Sequence, residues 1–298
     1  MFSWDDLRVF VTLHRERTTV RAARVLGTSQ STIVRRLAAL ENDLDLKLFT
    51  RGSSGLVPTE AGKRLYPLAI QAERSVCEFT AEVELLTETG LKLIRLTLPD
   101  HFEQLVVPVL REFRKRWPAV DVEILPADRI YDLDRGEADI AIRGRTTGQQ
   151  VDVVARDLPA CGFAVYASAH APESECPDDP EKLALFPIAD LDAPAGMLPI
   201  YRWLKKQRSP DMRSPHCKNL QALASTIASG AAIGALPCTM GDANRLLRRC
   251  FEPNEAFDVP IYLIVRRAAL RRPPARDLFD SLQTYFCERP QLLLGKRN

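Results

Sequence analysis

The segment that decides the fold is TTVRAARVLGTSQSTIVRRLAALE, residues 18–41. The apolar residues before Gly27 predict a short amphipathic helix, and glycine suits the left-handed conformation that ends a helix. Thr28 and Ser29 are candidate N-caps of a second helix, because their hydroxyls can accept hydrogen bonds from its free N–H groups. In that helix, large apolar residues recur at steps of four and three, which predicts one buried face. These residues are Ile33, Leu37, Leu40 and Leu44.

The opposite face of the second helix is small and polar, which would let it approach base edges in the major groove of DNA. Gln can pair with adenine, Ser and Thr with base or phosphate, and Arg with guanine or phosphate. The alternative is that the two arginines lie on the solvated side of a structural helix. The helix-turn-helix pattern favours DNA reading. The residues of this segment predicted to contact DNA are Ser29, Gln30, Ser31, Thr32, Val34, Arg35 and Arg36.

The segments on either side predict a winged form of this motif. Residues 3–6 form a weak capping box ahead of an amphipathic helix that would cover the other two. After the second helix, residues 47–57 predict two short strands around a glycine- and serine-rich turn. In this β-hairpin, the wing, Arg51 and Ser53 are predicted to lie near phosphates. The alternative is an ordinary surface loop.

A long helix is predicted from its N-cap Thr59 to about Glu88. Its apolar residues alternate spacings of four and three, a heptad pattern typical of pairing with a second copy. A two-fold dimer would place two reading helices on two half-sites of DNA, whereas the alternative is packing within one domain. Pro67 removes one backbone hydrogen bond and predicts a kink between Lys63 and Pro67. The residues predicted to dimerise are Leu65, Ala69, Ala72, Val76, Phe79 and Val83.

Composition and charge are typical of a soluble protein of two or three domains, with 298 residues, 46% hydrophobic and 27% charged. Residues 1–65 hold 11 basic and 7 acidic side chains, a net charge of +4, and the remainder carries −2. A basic excess on the predicted DNA-binding part is what counterion release favours. Because there is no long apolar run and the N-terminus does not resemble a signal peptide, we expect a cytoplasmic protein.

Cysteine and histidine usage gives no support for a metal site, a cofactor or catalysis. The seven cysteines are scattered without a CxxC pair, and there are only four histidines. The sequence has neither GxSxG nor a phosphate-binding loop, so we expect no enzyme activity and no catalytic residues. For redox sensing the candidate is Cys217 beside His216, although a small buried residue is the favoured interpretation.

From residue 91 onward, alternating strands and helices predict an α/β fold with two lobes and a cleft between them. Strands are predicted at 93–98, 120–125, 138–142, 163–167, 231–236 and 261–265, and helices at 105–116, 220–229 and 278–286. Loops at strand carboxyl ends face the crevice in such folds. The alternative for Asp100 is a helix cap, and the basic run from Arg266 to Arg272 is interpreted as a solvated hinge and loop. The predicted ligand contacts are Pro99, Asp100, His101, Arg143, Ser168 and Asn219.

These residues together resemble the LysR-type transcriptional regulators. In the first third the resemblance rests on Phe10, Ala22, Ala23, Leu26, Ser29, Gln30, Leu37, Leu40, Glu41, Leu48, Phe49, Arg51 and the TEAG of residues 59–62. The sequence departs from that family at Ser31, where proline is usual, and at Val34, where serine is more common. Residues 135–142, 163–168 and 219–237 resemble the family's effector-binding region, which is similar to periplasmic solute-binding proteins.

The resemblance implies three segments: a winged helix-turn-helix at 1–58, a linker and dimerisation helix at 59–90, and an effector-binding domain at 91–298. Lobe one would comprise about 91–161 and 267–298, and lobe two about 162–266, with crossings at 161–163 and 264–267. The expected partners are promoter or operator double-stranded DNA, a small-molecule effector, RNA polymerase, and further copies of the chain in a homodimer or homotetramer.

Overall fold

The computed structural model describes residues 2–52, 55–86, 92–125, 131–134, 136–144, 152–172, 176–192, 196 and 198–295. The chain divides into two compact units, Met1–Glu84 and Leu85–Asn298. Across these described ranges, no helix is long and apolar enough to cross a membrane.

The first unit contains four helices and a hairpin among its described residues. These elements are α1 (Trp4–Glu16), α2 (Thr19–Val25), α3 (Gln30–Leu44), β1 (Phe49–Gly52), β2 (Gly55–Pro58) and α4 (Glu60–Leu86). Ser3 and Asp6 form the predicted capping box of α1. Gly27 takes a φ of 62° in the turn before α3, which is the left-handed conformation expected of that glycine.

The core of the first unit confirms the apolar pattern of the helix pair. Ile33 and Leu40 are fully buried, and the other two predicted residues of α3 pack partly buried against the same cluster. Glu41, also buried, accepts backbone N–H bonds from Leu48 (2.8 Å) and Phe49 (3.3 Å). This carboxylate therefore ties the end of α3 to the first strand of the wing.

The start of α4 is fixed against the wing by Thr59 and Gly62. The Thr59 hydroxyl accepts the Gly62 N–H (3.0 Å) and donates to the carbonyl of Lys47 (2.6 Å), which confirms Thr59 as the N-cap. A Cβ at Gly62 would lie 2.3 Å from the Leu48 carbonyl oxygen, so the close approach of the two backbones requires glycine. The helix runs on through Pro67 to Leu86, and its predicted end at Glu88 lies outside the described residues.

The second unit begins with a parallel βαβ arrangement, as predicted. Its first elements are β3 (Leu93–Thr97), a 3₁₀ helix (Asp100–Phe102), α5 (Glu103–Arg116), β4 (Asp121–Leu125), β5 (Ile140–Arg143) and β6 (Val153–Cys161). A later strand, β12 (Val259–Arg266), joins them in a five-stranded sheet of order β4-β3-β5-β12-β6. Strand β3 runs parallel to β4 and β5, and β12 runs antiparallel to β5 and β6.

A second sheet has the order β10-β7-β11, with β7 (Phe163–Ser168), β10 (Gly234–Pro237) and β11 (Leu247–Arg249). Two short strands, β8 (Asp190–Leu191) and β9 (His216–Cys217), pair in parallel. The helices of this part are α6 (Pro199–Gln207), α7 (Leu220–Ala228) and α8 (Cys238–Gly241). The described chain closes with α9 (Pro273–Cys287) and α10 (Gln291–Leu294). Further 3₁₀ helices span Pro180–Leu185, Glu255–Phe257 and Arg267–Arg271.

The chain passes between the two sheets at two points, and only the first lies where it was predicted. The first crossing falls at Gly162, between β6 and β7, within the expected 161–163. The second does not fall at 264–267, because Ile264 pairs with Ala141 of β5 and with Ala155 of β6. All of β12 thus belongs to the first sheet, and the expected limit of lobe two at residue 266 is wrong.

The basic run after β12 is partly buried, which corrects its interpretation as solvated. The Asp139 carboxylate forms ion pairs with the guanidinium groups of Arg266 (N–O distance 2.8 Å) and Arg272 (2.6 Å), and all three side chains are at most 7% exposed. The same carboxylate accepts the backbone N–H of Arg95 (3.0 Å). Buried guanidinium groups require such pairing, since desolvation makes an unpaired charge very costly. The triad therefore anchors the end of β12 and the start of α9 to β5.

Candidate nucleic-acid and effector sites

The outer face of α3 carries the exposed residues predicted to read DNA. Ser31, Val34, Arg35 and Ala38 are all exposed, and Val34 keeps 51% of its accessible area. No hydrogen bond or ion pair joins Arg35 to any part of the described chain. Its guanidinium is thus available to an external acceptor such as a guanine edge or a phosphate.

The first turn of α3 holds its polar residues in fixed orientations. The Ser29 hydroxyl is the N-cap and accepts the Thr32 N–H (3.2 Å), and it lies 2.9 Å from the Ser31 hydroxyl oxygen. The side-chain amide of Gln30 donates to the Thr19 hydroxyl (2.8 Å), so α2 sets the direction of the amide. Such pre-orientation lowers the entropy lost when these groups bind a partner.

Arg36 and Thr32 face α1 rather than the outer side of α3. The Arg36 guanidinium forms ion pairs with Asp5 (3.1 Å) and Asp6 (3.2 Å) at the start of α1. Thr32 and Arg36 line a cavity with Asp5, Arg8, Val9, Leu26 and Thr28. Because two carboxylates already neutralise Arg36, the geometry argues against its predicted role in DNA contact and assigns it to helix packing.

The wing is held against the turn between α1 and α2. The Leu56 N–H donates to the carbonyl of Arg17 (2.7 Å). Gly55 has a φ of 131°, and a Cβ there would lie 2.5 Å from the Arg17 oxygen, so only glycine permits this contact. Arg51 is exposed on β1, opposite Leu56, and the predicted contact Ser53 lies outside the described residues.

The apolar residues of α4 divide into a buried set and an exposed set. Leu65 and Ala69 pack against the core of their own unit, which corrects their prediction as dimer contacts, and Ala72 is half-buried. Further along the helix the large apolar side chains are exposed, Phe79 by 70%. We call the exposed set the α4 stripe: Leu68, Val76, Phe79, Val83 and Leu86.

The root of α4 is fixed to α1 by two contacts. Glu73, buried, forms an ion pair with Arg15 at 2.8 Å. The His14 ring stacks on Tyr66 with centroids 3.6 Å apart. Burial, with Arg17 and Arg15 nearby, lowers the pKa of His14 to about 4, so the stacked imidazole is neutral at physiological pH. These contacts fix the first half of α4 against α1, and with it the direction in which the exposed second half of the helix extends.

In the second unit, the segment after β3 holds three of the six residues predicted to contact an effector, Pro99, Asp100 and His101. Pro99 is the N-cap of the 3₁₀ helix, and Asp100 is its exposed first residue. No side-chain capping bond starts either this helix or α5, so the alternative role of Asp100 as a cap is not supported. His101 is largely buried, and burial lowers its pKa to about 4, so it is neutral at physiological pH.

Arg143 ends β5 at the same sheet edge but on the other face. Alternation along the strand places it with Ala141, which packs against Tyr131 and Leu133, whereas Ile142 faces the core under α5. Burial lowers the pKa of Arg143, and Asp132 and Asp134 offset that effect only in part. The structure therefore does not bring Arg143 together with His101.

Ser168 and Asn219 have local structural roles. Ser168 is buried, and its hydroxyl donates to the Ala228 carbonyl at the end of α7 (2.9 Å). The Asn219 side-chain oxygen accepts the Ala222 N–H (2.8 Å) and caps the start of α7. These bonds argue against both residues as ligand contacts.

Thr239 is a candidate that sequence reasoning missed. Its hydroxyl oxygen is buried, and within the described chain its side-chain partner is the Cys161 thiol, a weak hydrogen-bonding group. It lies in α8, which packs beside the 3₁₀ helix holding His101. A short helix that starts at the carboxyl end of a buried strand could have indicated it, because ligands collect at such ends in α/β folds.

Comparisons with known proteins match both parts of the chain. The LysR substrate binding domain matches residues 91–287, and the bacterial regulatory helix-turn-helix protein, lysR family, matches residues 4–63. The chain is 30% identical over 242 residues to the HTH-type transcriptional regulator DgdR of Burkholderia cepacia, covering 79% of this chain and 78% of that protein. It is 34% identical over 142 residues to the Mau operon transcriptional activator of Paracoccus denitrificans, covering 47% of this chain and half of that protein.

Two solved structures share the fold along nearly the whole chain. A full-length OxyR variant from Pseudomonas aeruginosa aligns with a TM-score of 0.55 at 19% identity, covering 100% of this chain and 99% of that one. AphB, the Vibrio cholerae virulence activator, aligns with a TM-score of 0.50 at 20% identity, covering 96% and 100%. A helix-turn-helix head followed by a substrate-binding domain defines a class of regulatory proteins. This chain belongs to its LysR family, whose members are transcriptional regulators rather than enzymes.

Proposed function

We propose that this protein is a sequence-specific DNA-binding transcriptional regulator that responds to a small-molecule effector. The observation that carries the proposal is the outer face of α3. Arg35 is exposed and has no partner in the described chain, Ser31 and Gln30 are oriented at the helix start, and Arg51 lies exposed on the wing. Small and polar groups beside an unpaired arginine suit entry into a major groove.

The α4 stripe supports a homodimer as the DNA-binding form. Leucine, valine and phenylalanine side chains at helical spacing, exposed by 39% or more, are costly in water and suit pairing with a second copy. Two helix-turn-helix domains held together by their α4 stripes would bind two DNA half-sites related by two-fold symmetry. The proposal extends to the assembly of two dimers into a homotetramer, to contact with RNA polymerase as a partner, and to the cytoplasm as the place of action.

For the effector, the proposed contacts are Pro99, Asp100, His101 and Thr239. The Asp100 carboxylate is exposed, His101 is neutral, and Arg143 already faces two carboxylates on the other side of the sheet. Since none of these groups offers an uncompensated positive charge, the site does not suit a simple anion. A small polar molecule that binds one arrangement of the domain more tightly than another would shift the population toward the first.

The DNA-binding proposal is tested by titrating the protein against fragments of genomic DNA and measuring fluorescence anisotropy across a salt series. A fragment that binds more tightly than unrelated DNA, with affinity that falls steeply as salt rises, supports a regulator. Equal and weak affinity for every fragment would refute sequence-specific recognition.

The effector proposal is tested by thermal-shift screening of metabolites on the full chain. A compound that raises the melting temperature of the wild type, and does so less in Asp100→Ala, supports the proposed site. Asn219→Ala is the matched control, because Asn219 caps a helix and should alter basal stability but not the shift. An equal shift in wild type and Asp100→Ala would remove Asp100 from the site.

A further inference from the structure

Two cysteines far apart in sequence meet beside the second sheet. The Sγ atoms of Cys176 and Cys250 lie 3.7 Å apart, although 74 positions separate the residues in the chain. Both thiols are free and half-buried. A disulfide needs an S–S distance of about 2.05 Å, which rotation about the side-chain bonds of two touching thiols can reach. We propose that Cys176 and Cys250 form a reversible intramolecular disulfide when the protein meets a low-molecular-weight disulfide such as oxidised glutathione.

Backbone hydrogen bonds fix Cys250 and a segment that precedes Cys176 in sequence. The Cys250 N–H donates to the Val165 carbonyl of β7 (2.9 Å). The Arg248 guanidinium, two residues before Cys250, donates to the carbonyls of Ala171 (2.9 Å) and Pro172 (2.7 Å). Arg248 thus joins Ala171 and Pro172, which precede Cys176 in sequence, to the strand that ends just before Cys250. The thiols are brought together before oxidation, so the bridge requires little backbone movement.

The order of the two exchange steps follows from the environment of Cys250. Burial raises the pKa of Cys250 far above its ordinary value, and the neighbouring Cys176 raises it further. Because only a thiolate attacks a disulfide, Cys176 is the first nucleophile. Its sulfur bonds to one sulfur of the small disulfide, whose other half leaves as a thiolate. Cys250 then attacks the Cys176 sulfur and expels the second half, and the two protons of the cysteines pass to the two departing thiolates.

The bridge would act on one connection between the two sheets. Cys250 is the first residue of the segment that leads from β11 back to β12, and Cys176 follows β7 along the chain. Oxidation would tie these two segments together covalently. The proposal is independent of DNA binding. It also moves the redox candidate away from Cys217, which is buried with its sulfur 3.5 Å from the Thr226 hydroxyl.

The test equilibrates the folded full-length protein in buffers of rising oxidised-to-reduced glutathione ratio, followed by acid quenching, alkylation and mass spectrometry. Digestion with trypsin and a glutamate-specific protease separates Cys161 from Cys176, since Glu173 and Glu175 lie between them. The expected result is the loss of two of the seven thiols and one linked peptide pair, Cys176 with Cys250. On a chain-entropy estimate the oxidised protein should melt roughly 10 °C higher.

Three variants make the result decisive. Cys250→Ser should stop at a mixed disulfide between glutathione and Cys176, whereas Cys176→Ser should form neither bridge nor mixed disulfide at Cys250. Cys217→Ser, the matched control, should form the bridge as the wild type does. Absence of the linked peptide in fully oxidising buffer, or a bridge between any other pair of cysteines, would overturn the proposal.

Discussion

Replacing Asp139 by alanine should destabilise the second unit strongly, because this carboxylate neutralises two buried guanidinium groups. Arg266 and Arg272 lie 2.8 and 2.6 Å from it and are at most 5% exposed. Removing one partner of a buried ion pair costs about 3 to 5 kcal/mol. The Arg95 N–H would lose its acceptor as well, for roughly 1 kcal/mol more. For a unit of this size, we expect the melting temperature to fall by roughly 10 °C.

The assay is thermal and urea unfolding of wild type and Asp139→Ala, followed by circular dichroism. Asp280→Ala is the matched control, because Asp280 is half-exposed in its pair with Arg156 (2.7 Å) and should cost below about 1 kcal/mol. Equal stability of the two variants would refute the argument that the buried triad holds β12 and α9 to β5.

The triad also predicts a pH dependence. Burial raises the pKa of Asp139, but Arg272 and Arg266 more than offset this, so its folded pKa lies below the ordinary 3.8. The triad's contribution is therefore present above about pH 4 and is lost as the pH falls through the folded value. Asp139→Asn should lose less stability than wild type when the pH is lowered from 5 to about 2. An identical loss in both proteins would contradict this assignment.

Three further changes test other parts of the molecule. Gly62→Ala should destabilise the first unit by about 1 to 3 kcal/mol in urea unfolding, because its Cβ would lie 2.3 Å from the Leu48 oxygen; an unchanged midpoint would contradict the close approach. Phe79→Glu should shift the protein toward monomer in analytical ultracentrifugation while it stays folded at the temperature of the measurement, and an unaltered dimer would remove the α4 stripe from the interface. Since the pKa of His101 is lowered to about 4, unfolding stability should fall as the pH drops from about 6.5 to about 4, and His101→Gln should reduce that fall.

Local sequence signals predicted the first unit well. Hydroxyl caps such as Ser29, the glycine in the turn and the apolar spacing in α3 each act within a few residues, so they can be interpreted without tertiary information. The same signals failed for Arg36, because its partners Asp5 and Asp6 come from another helix. Helical spacing alone also could not separate Leu65, which packs against its own head, from exposed Phe79.

In the second unit, the order of strands was predicted better than their membership of sheets. The apolar run at residues 261–265 predicts a strand, but its place beside β5 and β6 depends on pairing partners about 100 or more residues earlier in the chain. Position at a strand end predicted the segment around Asp100. It also selected Ser168 and Asn219, whose side chains cap α7, since loop position does not reveal a local hydrogen-bond partner.

The adjacent arginines of α3 give the most direct test of DNA recognition. Operator affinity should be measured by anisotropy for wild type, Arg35→Ala and Arg36→Ala, each checked for folding by its melting curve, on a fragment selected by the wild type. Because Arg35 is exposed, Arg35→Ala should bind the operator roughly 10-fold or more weakly than the wild type at physiological salt, as expected for the loss of one good base or phosphate contact. Because Arg36 is paired with Asp5 and Asp6, Arg36→Ala should lower the stability of the protein but change its operator affinity by less than about threefold. Unchanged affinity in Arg35→Ala, or an equal loss in both variants, would contradict the reading face assigned to α3.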